Sequence, residues 1–166
     1  MSHPHHYLLE EFAIAIRAFE PTISSEIKEE AQQLHDRYLA DTTVSREEIK
    51  KGMYEIGLKT YADRNAYHEL VKEGGAQQAH GSISMTEEQK DRYEVLRKEW
   101  EERKQAITRA LDQLEVLKGQ SETWGAEIAG QIDQFKEGFL VTEPDPQLYD
   151  VQQALEYWSG VMKEGR

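Results

Sequence analysis

Residues 93–117 read YEVLRKEWEERKQAITRALDQLEVL. Tyr93, Leu96, Trp100, Arg103, Ile107, Ala110, Leu114 and Leu117 alternate by three and four without a slip, which is the rhythm of a helix whose apolar side faces other helices. On its other faces Glu88 and Arg92, Glu94 and Lys98, and Glu99 and Arg103 are acids four residues ahead of bases, each pair adding roughly 0.2–0.5 kcal/mol to a helix. Thr86 with Gln89 supplies a capping box at the start, and Gly119 marks the end. The stretch therefore predicts one long helix over about 86–118, roughly 50 Å from end to end.

Working outward, the same rhythm resumes through Ser121, Trp124, Ile128, Gln131 and Phe135. A break is expected near 119–121, with Ser121 capping the next helix. Upstream, Ser45 and Glu48 form a second capping signal. Ile49, Met53, Ile56, Tyr67 and Leu70 carry a helix over 45–73, on whose stripe Thr60 and Asp63 are polar intrusions. Gly74 and Gly75 end it, and AQQAHGSIS, residues 76–84, has no periodicity, so 74–85 reads as a flexible connector that lets the long helix fold back on helix 45–73 as a hairpin.

Leu8, Phe12, Ile16 and Phe19 give a first helix closed by Pro21, and Ile27, Ala31, Leu34 and Tyr38 a second. FLVTEPDP, residues 139–146, predicts an extended connector, after which Leu148, Val151, Leu155, Trp158 and Met162 stripe a last helix. No run alternates as a strand would. The expectation is a single all-α domain over 1–166, a bundle of five or six helices built around the long one.

The 166 residues contain no cysteine, which removes disulfides, thiolate metal sites and cysteine nucleophiles. A net charge of −12 argues against a nucleic-acid partner, since phosphates need clustered Lys and Arg. The surface acids solvate the chain or offer a face to a basic partner. No stretch of about 18 apolar residues is present, which argues against a membrane span. YLLEEFAIAI, residues 7–16, has signal-peptide character but is interrupted by Glu10 and Glu11, so the chain is expected to begin near residue 1 and to work in the cytoplasm.

Candidate chemistry is sparse. His3, His5 and His6 surround Pro4, an arrangement that suits a leader or a helix start better than a metal site. His35 and His68, with Glu30 and Glu69, are the weak metal candidates; three residues before each His stands Gln32 or Asn65, not the glutamate of di-metal bundle sites. No cofactor is expected. No serine elbow or phosphate-cradling glycine loop occurs either.

Aromatics and seam intrusions suggest a ligand pocket walled by Tyr61, Tyr67, Trp100 and Tyr157 and oriented by Thr60, Asp63 and Arg103, the last two pairing across two helices. Tyr149 and Trp158 would widen that wall. The apolar stripes suggest an interaction seam of Tyr93, Leu96, Trp100, Ile107, Leu114 and Leu117 on the long helix, with Leu148, Val151, Leu155, Trp158 and Met162 on the last. The sequence thus points first to a non-enzymatic helical interaction module, an adaptor, chaperone or regulator that binds a protein partner or itself as a homo-oligomer. A small-molecule-binding or sensor bundle is the alternative, and a metal-binding bundle enzyme the third.

Overall fold

The computed structural model describes residues 3–19, 23–74, 77–79, 82–140 and 147–164. Among them are α1 (His6–Phe19), α2 (Ser25–Ala40), α3 (Arg46–Lys72), β1 (Gln77–Ala79), β2 (Ser82–Ser84), α4 (Glu87–Gln120), α5 (Gly125–Glu137) and α6 (Leu148–Lys163). The bundle is all-α apart from one small hairpin, and α4 packs along α3 as the sequence predicts.

Local chemistry starts and stops these helices. The Ser24 and Ser45 hydroxyls accept from the amides of Ile27 and Glu48, and Thr86 and Gln89 complete a reciprocal box, so otherwise orphaned donors are satisfied at three helix starts. Beyond α3, Gly74 takes φ of 77°, a left-handed conformation in which a side chain would be strained. Between α4 and α5 the chain breaks where expected. There the Ser121 hydroxyl accepts from the Trp124 amide at 2.9 Å, closing one turn before α5 begins, so Ser121 does not cap that helix as expected: α5 starts after Trp124 with no side-chain cap.

Two stretches differ from the sequence reading. Within the expected connector, β1 and β2 pair antiparallel with Gln77 opposite Ser84. Three-residue strands are too short to show alternation, so no periodic signal marked them. Residues 75, 76, 80 and 81 of that connector lie outside the described residues. Residues 138–140 are not extended but form a 3-10 turn, because Phe139 drives inward and is 0% exposed. Residues 141–146 of the expected extended connector lie outside the described residues.

The helix α3 is the spine of two cores. Its first half gives Ile49, Met53 and Ile56 to a cluster with Leu8, Leu9, Phe12 and Ile16 of α1 and Ala31 and Tyr38 of α2. Its second half gives Tyr61, Ala66, Tyr67 and Leu70 to a larger cluster with α4, α5 and α6. The long helix serves several neighbours at once, so its apolar arc is wider than a coiled-coil seam: Leu111, off the three-four rhythm, is 2% exposed. None of the helices among the described residues is long and apolar enough to cross a membrane.

The leader joins this framework as a helix start. His5 donates its amide to His3 Nδ1 at 3.0 Å, so the ring proton sits on Nε2, which donates to the Asp41 carbonyl at 2.7 Å. His3 therefore ties the front of α1 to the α2–α3 corner.

Candidate functional site

The polar residues that interrupt α3 and α4 gather where the two cores meet and along the α3–α4 contact. Thr60 is 0% exposed and returns its hydroxyl to the Gly57 carbonyl at 3.2 Å. One turn on, Arg64 is 2% exposed; its Nε donates to Thr60 Oγ1 at 3.1 Å, and its Nη2 donates to the Phe139 carbonyl. The same guanidinium lies 4.1 Å from the Phe19 ring centroid, so a cation from α3 touches α1 and the turn after α5 together. Burial pushes the group down to about 10, which leaves it protonated at neutral pH. Close approach of the turn depends on Gly57, where a Cβ would stand 2.7 Å from the Phe139 carbonyl oxygen.

A second polar set runs along the face where α3 meets the first half of α4. Arg92 holds Glu73 with two nitrogens, at 2.6 and 3.1 Å, and Arg97 Nε holds Asp63 at 2.8 Å. The Trp100 indole donates to Glu69 at 2.6 Å. Tyr93 lies on the same face, and burial, with the Asp63 carboxylate beside it, holds its hydroxyl protonated well above the usual tyrosine range. The hydrogen bond from Arg92 holds the Glu73 carboxyl below its usual range. These bonds join the two helices in one register.

The expected ion pair between Asp63 and Arg103 does not form. Arg103 lays its guanidinium 4.3 Å from the Trp100 ring centroid on its own helix, and Arg97 takes Asp63 instead. The expected pocket residues do not enclose a cavity together. Tyr61, Tyr67 and Trp100 are 2, 5 and 6% exposed within the core, Tyr61 edge-on to Trp100 at 6.0 Å, whereas Tyr157 is on the outer side of α6. Tyr149 is likewise outside, and Trp158 is buried with its indole donating to Gln131.

The expected interaction seam is mostly interior. Leu96, Trp100, Ile107, Leu114, Val151 and Trp158 are buried in the larger core, with Tyr93, Leu117, Leu148 and Leu155 half-buried against it and Met162 half-buried. The stripes of α4 and α6 cover each other within one chain.

His35 stands edge-on to Phe12 at 5.9 Å and meets Asp36 at 3.2 Å, while His68 stands edge-on to Tyr67 at 5.6 Å. No group of three or more metal-ligating side chains occurs among the described residues.

Sequence reasoning missed Arg64 for an identifiable reason. From Thr60 the helical rhythm can step three residues, to Asp63, or four, to Arg64, and the second is the inward step. Asn65, 1% exposed and donating to the Tyr61 carbonyl at 2.7 Å, was missed with it. Comparison with protein-family models, curated proteins and solved structures finds no match.

Proposed function

We propose that the chain is a non-enzymatic helical interaction module that meets partner proteins through the outer sides of its helices. The observation that carries the reading is on α6. Its inner side is complete, with Val151 0% and Trp158 2% exposed, yet Tyr149 and Tyr157 stand outside at 68 and 62%. Exposed tyrosines contribute large contact areas at little entropic cost, which is why they are enriched at the energetic centres of interfaces. On α1, Tyr7 and Ile14 at 83 and 50% exposed repeat the pattern seven residues apart. Self-association through the stripes of α4 and α6 loses its argument, because those stripes are already spent inside the chain.

A photo-crosslinking residue placed at 157, at 7, and at exposed Val116 as a control tests the reading in cells that make the full chain. The module predicts protein-sized adducts at 157 or 7 several-fold above those at 116. Equal labelling at all three positions, or a fixed small-molecule mass retained in native mass spectra of the purified chain, would overturn it.

A further inference from the structure

We propose that the outer side of α6 receives a basic amphipathic helix of a partner protein, an inference that rests on the interaction reading and names the chemistry of the partner. Tyr149, Gln153 and Tyr157 follow one another at four-residue steps, so they line one side of the helix. All three are exposed. Tyr157 is held in place, its ring edge-on to buried Trp158 at 4.9 Å between centroids, and a ring fixed beforehand loses little freedom on binding.

Beside Tyr157 lies Gly160, exposed in the last turn of the helix. The fold itself does not require it, since a Cβ at 160 would meet nothing within 4 Å. What a missing side chain does provide is room for another backbone to come close beside Tyr157.

Charge selects the occupant. Asp150 and Glu156 flank the tyrosines, both exposed and without an ion-pair partner among the described residues. Of the bases on α6 there is only Lys163. A second copy fits poorly: placed antiparallel with Tyr149 over Tyr157, it sets Asp150 against Glu156 twice, and a like-charge pairing in both halves of a symmetric contact is costly. Nucleic acid and anionic lipid surfaces are repelled for the same reason. A helix with an apolar stripe for the tyrosines and flanking Lys or Arg for Asp150 and Glu156 satisfies every exposed feature of this side.

The probe is a synthetic amphipathic peptide with leucines on one side and lysines on the other, and a twin in which glutamate replaces lysine. Both are titrated into the full chain by calorimetry and by amide chemical shifts. The lysine peptide should bind with shifts centred on α6. The double variant Tyr149→Ser/Tyr157→Ser should bind it about tenfold more weakly, a loss near 1.4 kcal/mol, and Tyr7→Ser should bind as the parent does. Asp150→Lys/Glu156→Lys should reverse the preference toward the glutamate peptide, and since all four residues are exposed, circular dichroism should show each variant as folded as the parent.

Unchanged affinity in the tyrosine double variant, shifts spread over the whole surface, or no binding would overturn the proposal. So would a dimer of the parent that the double variant abolishes, because a second copy would then occupy the face. If the peptide fails while crosslinks still form at 157, the partner chemistry is wrong and the interaction reading stands. If both fail, both fall.

Discussion

The two halves of α3 sit in cores that are held together differently. Around its first half the smaller core is mostly aliphatic, with Phe12 and Tyr38 its rings, and its link to the leader is the hydrogen bond from His3 to Asp41. Around its second half the larger core is rich in aromatic rings, with Tyr54, Tyr61 and Phe139 in contact, and it is cross-linked at its edge by Arg92, Arg97 and Trp100. Apolar burial is non-directional, whereas these polar bonds fix which residue of α4 faces which residue of α3. The larger core carries more of the directional bonds between helices, the smaller one having Tyr38 Oη donating to the Glu48 carbonyl and Lys59 paired with Glu30, and Arg64 with Phe139 joins the two.

The largest effect should come from the joint itself. Phe139→Ala removes a fully buried ring between α3 and the turn after α5 and should cost about 3–5 kcal/mol in denaturant unfolding. If the cores are coupled there, tryptophan fluorescence, which reports the larger core through Trp100, Trp124 and Trp158, and helix signal from circular dichroism should melt together in the parent chain; separate transitions there would show that the cores fold independently.

Next in size is Arg64→Ala, which leaves Thr60 Oγ1 and the Phe139 carbonyl without their charged donor and should cost about 1.5–3 kcal/mol. Arg64→Met, which keeps the stem over Phe19, should recover part of that loss. Equal losses for the two variants would assign the whole effect to the charge.

Alkaline pH separates the cores by chemistry. Burial raises the pKa values of Tyr54, Tyr67 and Tyr93 in the larger core, and of Tyr38 in the smaller, above the usual 10. The folded chain keeps these hydroxyls protonated while the unfolded chain ionises them. Stability from this source is therefore full below about pH 10 and is lost as pH rises beyond it. Tyr93→Phe should flatten that loss more than Tyr38→Phe in unfolding curves taken from pH 9 upward, since the Asp63 carboxylate adds to the effect of burial at Tyr93.

The smallest effect is at the leader. His3→Ala should cost about 1 kcal/mol, and hydrogen exchange should speed up on α1 while α4 is unchanged. Faster exchange in both would place His3 in the shared stability of the molecule.

The long helix was legible because its signal is local: an unbroken three-four rhythm from Tyr93 to Leu117 and a capping box at Thr86 need no tertiary knowledge. The break at Ser121 was readable for the same reason. What escaped depends on partners far away in sequence. Phe139 carries no periodic signal, since its burial is decided by Gly57 and Arg64 on another element. Asp63 chose Arg97 over Arg103 through helix register, which a single stripe does not encode. An apolar stripe also reads the same whether it faces its own chain or another, which is why the α4 seam pointed to self-association.

Thermal unfolding at several protein concentrations shows whether the stripe of α4 is closed within one chain. A seam closed within one chain predicts a midpoint that does not move across a roughly hundredfold range of concentration. A midpoint that climbs steadily with concentration would mean that the stripe of Leu96, Ile107 and Leu114 is covered by another copy, and would contradict that closure.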